Sequence, residues 1–301
     1  MSERKPVQTS DREPVQTGER EPILKVRDIS VDFSIPAGGL FGGRKVLRAV
    51  KNVSFDLYQG ETLGIVGESG CGKSTLSRAV IRMLEPTSGQ SLWMGQDIQK
   101  MSVKELVALR KDVQMIFQDP LASLNPRMTC GAIIGEPLLI HYPDINKVER
   151  LGRVIAMMEK VGLTADMINK YPHEFSGGQC QRIGIARALI TNPKMIVCDE
   201  AVSALDVSVR AQVINLLMDL QKELGISLLF ISHDIAVVRH IAQRVMVLYF
   251  GEVVEMGDAE QVVMNPQHDY TKKLIASVPV PDPKVEMERR ELRRRLRKAA
   301  A

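Results

Sequence analysis

Hydrophobic and polar residues alternate along the early part of the chain. Apolar side chains recur at every second position within residues 23–33 and 46–58, which is the period of half-buried β-strands. The segment between them, residues 35–45, contains four glycines and predicts a flexible connection. We therefore predict an antiparallel strand pair. A polar, proline-containing segment, residues 1–22, precedes it and should be disordered.

Farther along the chain, short apolar runs alternate with stretches in which apolar residues recur at every third or fourth position. The runs have the length of buried strands, and the stretches have helical spacing. This alternation predicts an α/β fold. The predicted strands are 62–66, 91–94, 113–117, 195–198 and 227–231, with a closing hairpin of 244–249 and 252–256. The predicted helices are 76–84, 103–111, 133–139, 147–161, 181–190 and 207–224.

A glycine-rich loop connects the strand 62–66 to the helix that follows it. Its sequence matches the phosphate-loop pattern G-x-x-x-x-G-K-[ST], in the strand–loop–helix context that this pattern needs. The glycines let consecutive backbone N–H groups surround an anion, and the helix N-terminus adds its positive dipole end. We expect Lys73 to contact the β- and γ-phosphates and Ser74 to ligate Mg²⁺. The predicted nucleotide-binding residues are Gly67, Glu68, Ser69, Gly70, Cys71, Gly72, Lys73, Ser74 and Thr75.

Polar side chains come at the ends of three predicted buried strands. They are Gln118, the pair Asp199 and Glu200, and His233. Polar residues at strand ends of an α/β sheet point into the ligand crevice. Asp199 should hold Mg²⁺ through water, and Glu200 should polarise the water that attacks the terminal phosphate.

Two further features leave alternatives open. Ser176, Gly177, Gly178 and Gln179 precede a strong predicted helix. Such a helix start is either a second anion-binding surface or an ordinary serine-capped turn. Phe33 ends the first long strand, where it would either stack on adenine or be a plain strand aromatic.

Composition narrows the class of protein. The chain is 45% hydrophobic, but no stretch approaches the roughly 18 uncharged apolar residues of a membrane helix, and we see no secretory signal. The four cysteines are far apart, which argues against zinc, iron–sulfur or disulfide frameworks and for a reducing cytosol. Residues 282–301 hold eight Lys or Arg and four Asp or Glu, which leaves 32 of each sign elsewhere. Since the body is neutral, no nucleic-acid partner is expected.

Six motifs occur in one order along the chain. They are the phosphate loop, Gln118, the signature at 176–179, Asp199-Glu200, the segment 203–206 and His233. Together they resemble the ATP-binding-cassette (ABC) ATPases over roughly residues 22–265. The resemblance favours the anion-binding interpretation of the signature over the serine-capped turn.

The resemblance implies a fold and a division of the chain. The fold is a P-loop NTPase (RecA-like) core with an N-terminal antiparallel β subdomain and an inserted helical signature subdomain at about 120–185. The ATPase domain would span residues 23–264, and residues 265–301 would form a C-terminal extension with a basic tail.

Members of this family work in pairs, with ATP between two cassettes. The resemblance implies ATP and Mg²⁺ as cofactors, with catalytic residues Glu200, His233 and Gln118 and metal ligands Ser74, Gln118 and Asp199. It also implies that Ser176, Gly177, Gly178 and Gln179 clamp the nucleotide of the partner, and that Asp206 belongs to a dimer loop.

The finer pattern is similar to the peptide-importer branch, which includes a glutathione-importer ATPase. It rests on residues 117–126, 171–175, 200–206 and 265–271. The resemblance implies an ATP-hydrolysing subunit for the uptake of dipeptides, oligopeptides or glutathione-like peptides, peripheral at the cytoplasmic face of the inner membrane. Its partners would be a second ABC ATPase subunit, identical or paralogous, two membrane-spanning permease subunits and, indirectly, an extracytoplasmic solute-binding protein.

Three residues depart from the family pattern. Phe175 replaces the commoner Leu of the signature. Cys180 stands where Arg usually follows, which removes a positive charge near the expected dimer interface. Asp269 replaces the usual Pro of the extension, which puts a fixed backbone turn there in question.

Other interpretations stay open at the level of sequence. The alternatives to a peptide-importer subunit are a soluble ABC ATPase acting on nucleic acid or ribosomes and the ATPase of an ABC transporter for another solute. The basic tail, residues 284–298, would be a solvated helix with i,i+4 ion pairs or a docking helix for a membrane surface or a partner.

Overall fold

The structure is a computed structural model that describes residues 21–36 and 44–277. Residues 1–20 of the polar N-terminal segment, residues 37–43 of the glycine-rich connection and the basic tail lie outside these ranges. Within the described ranges, no helix is both long enough and apolar enough to cross a membrane.

The described residues form ten strands and nine α-helices. The strands are β1 (Pro22–Pro36), β2 (Arg44–Tyr58), β3 (Thr62–Val66), β4 (Ser88–Trp93), β5 (Gln96–Asp97), β6 (Val113–Ile116), β7 (Met195–Asp199), β8 (Ser227–Ser232), β9 (Arg244–Tyr249) and β10 (Glu252–Asp258). The helices are α1 (Lys73–Val80), α2 (Val103–Leu109), α3 (Cys130–His141), α4 (Lys147–Lys160), α5 (Gly177–Leu189), α6 (Val207–Leu224), α7 (Ile235–Ile241), α8 (Ala259–Met264) and α9 (Asp269–Ser277).

A four-stranded antiparallel sheet contains the first two strands. Its order is β2-β1-β4-β5, and the predicted antiparallel pairing of β1 with β2 is confirmed. Phe33 lies opposite Leu47 in this pairing, which places two apolar side chains next to each other. The prediction that Phe33 ends the strand is wrong, because β1 stays paired with β2 as far as Pro36.

A six-stranded sheet of order β10-β9-β3-β8-β7-β6 forms the centre of the fold. Strands β9, β3, β8, β7 and β6 pair in parallel, and β10 closes the sheet as an antiparallel edge. Every residue of β3, β7 and β8 is buried. The α/β class is therefore confirmed, and the carboxyl ends of four of these strands bring their following residues to one edge.

The two faces of this sheet are covered by two hydrophobic cores. Along β8, Leu229 and Ile231 belong to the core shared with α1 and the antiparallel sheet, whereas Leu228 and Phe230 belong to the core shared with α5 and α6. Burial of each such side chain contributes about 1.5–3 kcal/mol. Because a hydrophobic core packs on each face, the sheet is held in place, and so are the residues at the ends of its strands.

Several helices differ in length from the prediction, among them α3, which is Cys130–His141 rather than 133–139, and α2, which ends at Leu109 rather than at residue 111. Helix α1 ends at Val80 rather than near residue 84, because Arg82 takes a left-handed conformation with φ of +52°. Helix α5 begins at Gly177 rather than Gln181. Ser176 caps it by accepting a hydrogen bond from the Gln179 backbone, and the Gln179 side chain accepts one from the Ser176 backbone.

Three helices lie between β6 and β7 in the chain and pack on one another. The core between α3, α4 and α5 includes Ile134, Met158, Ile183 and the fully buried Cys180, whose thiol contacts the carbonyl oxygen of Pro172 at 3.5 Å. The Cys180 side chain thus packs in the helical core and is not at the surface.

The last described helix begins at Asp269, the position where the family usually has Pro. Both residue types suit the first turn of a helix, since Pro fixes a helical φ and an acidic group favours the positive end of the dipole. Lys272 also contacts the Asp269 carboxylate at 3.2 Å. The chain thus forms an ordered helix start at this position without proline.

Candidate nucleotide site

The phosphate loop connects β3 to α1 and packs closely against β2. Gly72 has φ of +104°, and a Cβ atom there would lie 2.3 Å from the carbonyl oxygen of Ala49. Only glycine fits this combination of conformation and space. The close approach of the loop to β2 therefore depends on glycine at this position.

Lys73 folds back over the loop that precedes it. Its ammonium group donates to the carbonyl oxygens of Gly67 at 2.8 Å and Glu68 at 2.9 Å, and its side chain is 3% exposed. The same nitrogen lies 3.7 Å from a carboxylate oxygen of Glu200. A buried cation is thus placed among oxygen atoms at the point where a phosphate group would enter.

Ser74 and Asp199 meet across 125 residues of sequence. The Ser74 hydroxyl donates to Asp199 Oδ1 at 2.6 Å, and Arg78 Nη2 lies 3.3 Å from Asp199 Oδ2. Asp199 is fully buried, and each of its two carboxylate oxygens has one of these partners. The contact of Arg78 was not predicted, although its place one turn after Ser74 on α1 was a signal in the sequence.

Two of the polar strand-end residues converge on the carboxylate of a third, Glu200. Gln118 Nε2 donates to Glu200 Oε2 at 3.4 Å, and His233 Nδ1 lies 3.3 Å from the same oxygen. Glu200 is 8% exposed, whereas Gln118 and His233 are exposed on the opening side. The structure therefore brings Gln118, Glu200 and His233 together beside Lys73.

An open pocket of about 250 Å³ lies above the loop and reaches the antiparallel sheet. Phe33 lies in its wall and is 37% exposed. Leu47, which sequence analysis missed, lies beside it because the two residues are paired across β1 and β2. The lining residues are Phe33, Leu47, Ala49, Gly70, Gly72, Lys73, Ser74, Thr75 and Glu200. The pocket therefore combines an apolar wall at one end with the glycine-rich loop at the other.

The signature residues lie on a different surface of the chain. Ser176 and Gly177 are exposed at the start of α5, and Gly178 and Gln179 are half-buried. A Cβ atom on Gly178 would lie 2.5 Å from Val209 on α6. Asp206 precedes α6 and is exposed. None of these residues lines the pocket described above.

A further contact reaches the phosphate loop from the C-terminal part of the chain. The backbone N–H of Glu68 donates to the hydroxyl of Tyr270 at 2.9 Å. Tyr270 lies within the extension segment 265–271, and its contact with the loop was not predicted. A separation of 202 residues leaves no local signal for such a contact.

Comparison with protein families gives two matches that together cover most of the chain. The model described as ABC transporter matches residues 50–203. The model described as oligopeptide/dipeptide transporter, C-terminal region, matches residues 254–300.

Curated relatives match over nearly the same length. The oligopeptide transport ATP-binding protein OppF of Haemophilus influenzae is 58% identical over 88% of this chain and 80% of its own length. OppF of Escherichia coli is 56% identical with the same coverage. The glutathione import ATP-binding protein GsiA of Shigella dysenteriae is 53% identical over 90% of this chain, which spans 43% of that longer protein.

Solved structures share the fold. A dimeric post-hydrolysis structure of the ATP-binding cassette MJ0796 bound to ADP and Pi has a TM-score of 0.70 and 29% identity, covering 78% of this chain and 98% of that one. The cbiO1 structure from Clostridium perfringens has a TM-score of 0.69 and 28% identity, covering 82% and 92%.

Proposed function

Since the chain belongs to the ABC transporter family, we propose that it is the ATP-hydrolysing subunit that energises peptide uptake through separate membrane subunits. The family resemblance and the P-loop NTPase fold inferred from the motifs are confirmed. Peptides are favoured as cargo because the match at 254–300 is to the oligopeptide/dipeptide transporter region and OppF is 56–58% identical. The likeness to GsiA keeps glutathione among the candidate substrates.

The observation that carries the proposal is the convergence of Gln118 and His233 on Glu200, beside Lys73. When ATP enters, Lys73 would exchange its carbonyl partners for phosphate oxygens, and the loop N–H groups would bind the remaining phosphate charge. Glu200 would orient the attacking water and accept its proton. Gln118 and His233 would fix the position of that carboxylate.

The residues around Ser74 fit a magnesium ion. Mg²⁺ prefers oxygen ligands and is usually held by one or two carboxylates together with substrate phosphates and water. Ser74, Asp199 and Gln118 offer such oxygens, and Ser74 already contacts Asp199. When bound, the ion would neutralise charge that develops on the phosphates.

A second ABC ATPase subunit, identical or paralogous, would complete the site. The exposed start of α5 presents Ser176 and Gly177 outside the pocket of their own chain. A helix N-terminus of this kind suits the γ-phosphate of a partner's nucleotide. The similar cassette MJ0796 is dimeric with ADP and Pi bound, which supports this arrangement. In the same proposal, Asp206, which is exposed before α6, would belong to the dimer loop.

The remaining assignments belong to the same proposal. The chain would bind two membrane-spanning permease subunits at the cytoplasmic face of the inner membrane, and a solute-binding protein would deliver the cargo. Residues 23–264 would be the ATPase domain, with a helical subdomain at about 120–185, and residues 265–301 the extension.

Substrate stimulation in a reconstituted transporter tests the proposed cargo. The chain is assembled with its membrane subunits and solute-binding protein in proteoliposomes, and ATPase activity is measured with trialanine, glutathione or maltose. We expect stimulation by trialanine or glutathione and none by maltose. Stimulation by maltose alone would contradict a peptide importer while leaving the ATPase assignment intact.

A further inference from the structure

The C-terminal extension reaches back to the nucleotide site through one tyrosine. Tyr270 on α9 is 7% exposed, and its ring packs on Tyr249 at the end of β9, with ring centroids 4.1 Å apart. Its hydroxyl accepts the hydrogen bond from the Glu68 backbone at 2.9 Å. A side chain of the extension is therefore part of the wall of the phosphate loop.

The peptide groups on the two sides of Glu68 have different partners. The N–H of Glu68 is bound by Tyr270, and the carbonyl oxygen of Glu68 is bound by the ammonium group of Lys73. Lys73 is the residue that we expect to move to the phosphates when ATP enters. When Lys73 leaves the Glu68 carbonyl oxygen, the hydrogen bond from the Glu68 N–H to Tyr270 would still fix the position of this residue.

Tyr270 is itself fixed by the turn that precedes α9. Its backbone N–H donates to His268 Nδ1 at 3.2 Å. The backbone N–H groups of Gln267 and His268 donate to the two carboxylate oxygens of Glu255 at 2.8 and 3.0 Å. Glu255 lies on β10 of the central sheet. A continuous series of hydrogen bonds therefore connects this sheet through the turn and Tyr270 to the backbone of Glu68.

We propose that Tyr270 is a positioning residue that couples docking of the C-terminal extension to nucleotide binding by fixing the Glu68 peptide. The inference rests on the proposed nucleotide site. Coupling between two sites is reciprocal, so an extension that favours ATP binding must itself be stabilised by ATP. A hydroxyl hydrogen bond of ordinary strength corresponds to about a two- to tenfold change in ATP affinity.

The test compares two variants of the full chain that each lose one hydroxyl group. Tyr270→Phe keeps the ring against Tyr249 and removes the acceptor of Glu68. Tyr142→Phe is the matched control, because the Tyr142 hydroxyl donates to the Thr191 carbonyl at 3.1 Å, away from the pocket. ATP dissociation constants are measured for both variants and for the wild type.

We expect Tyr270→Phe to raise the dissociation constant about two- to tenfold and Tyr142→Phe to leave it unchanged. In the assembled transporter, Tyr270→Phe should raise KM for ATP while kcat stays close to wild type. A general loss of structure would lower kcat and stability as well. Hydrogen exchange of residues 265–277 should slow when ATP is added to the wild type, and this protection should weaken in Tyr270→Phe.

Two results would contradict the proposed coupling, and both can be distinguished from a result showing that the chain has no nucleotide site. If the wild type binds ATP and Tyr270→Phe binds it equally well, Tyr270 does not position the loop. Unchanged exchange of residues 265–277 on ATP addition would likewise exclude coupling. If the wild type binds no ATP, the nucleotide site itself is wrong and the inference falls with it.

Discussion

One residue of the site has an unfavourable backbone conformation. Glu200 has φ of +48°, and such a conformation in a non-glycine residue costs of the order of 1–3 kcal/mol. A hydrogen bond from its N–H to the Ile231 carbonyl and one from Ser203 to its own carbonyl keep it there. The conformation turns the chain sharply after β7. The carboxylate consequently lies beside Lys73 rather than continuing the strand.

Loss of the Lys73 ammonium group should weaken ATP binding strongly. A hydrogen bond to a charged group contributes about 1.5–3 kcal/mol, so Lys73→Ala should raise the dissociation constant at least about tenfold. Lys100→Ala, which removes an exposed lysine remote from the pocket, should have no effect. Equal affinity in Lys73→Ala and wild type, measured by equilibrium titration, would refute the phosphate-loop assignment.

The sequence alone was sufficient to predict which residues meet at the site when those residues directly follow a buried strand. Gln118, Asp199, Glu200 and His233 each follow a buried strand, and the parallel sheet brings such ends together. Three contacts were missed, those of Leu47, Arg78 and Tyr270. The contacts of Leu47 and Tyr270 depend on strand register and on packing between distant segments, which periodicity does not encode, whereas Arg78 was signalled by its place one turn after Ser74.

At the scale of elements, helix α7 packs on β3 without room for an added methyl group. A Cβ atom on Gly64 would lie 2.0 Å from Val238 Cγ1, and Val238 is fully buried. A displaced α7 would disturb the segment that carries His233, since Asp234 caps this helix. The position of His233 thus depends on the absence of a side chain in β3.

The substitution Gly64→Ala should therefore destabilise the fold. Overpacking costs about 1–3 kcal/mol, which lowers Tm by about 2–4 °C per kcal/mol in a domain of this size. Gly152→Ala is the matched control. It lies within α4 with open space around it, so it should be neutral or stabilise by up to about 1 kcal/mol. A higher Tm for Gly64→Ala than for Gly152→Ala in thermal unfolding would contradict this account.

The elements themselves were predictable, but some of their ends were not. Helix α5 gained Gly177 and Gly178 because the reciprocal hydrogen bonds of Ser176 and Gln179 outweigh the weak helix propensity of glycine. Cys180 follows the capped start of this helix and is fully buried. The sequence pattern shows a helix here but does not show which neighbours cover it.

At the scale of the whole molecule, the signature should act on the nucleotide of a partner. Ser176→Arg places a bulky cation on an exposed surface outside the pocket of its own chain. ATP binding to the isolated chain should change by less than about twofold, whereas ATPase activity of the assembled transporter should fall at least about tenfold. Ala165→Arg, an equal charge on an exposed turn, should change neither. Impaired ATP binding in isolated Ser176→Arg would mean that the signature serves its own site.

The dependence of ATP hydrolysis on the Glu200 carboxylate is the feature on which the proposed mechanism rests. It is tested most directly by the ATPase rate of the assembled transporter carrying Glu200→Gln, with ATP binding measured on the same preparation. We predict that the rate falls about 100-fold or more, since general bases contribute about that much. ATP binding should persist, and Glu85→Gln, a change at an exposed carboxylate, should behave as wild type. A rate unchanged in Glu200→Gln would contradict the account.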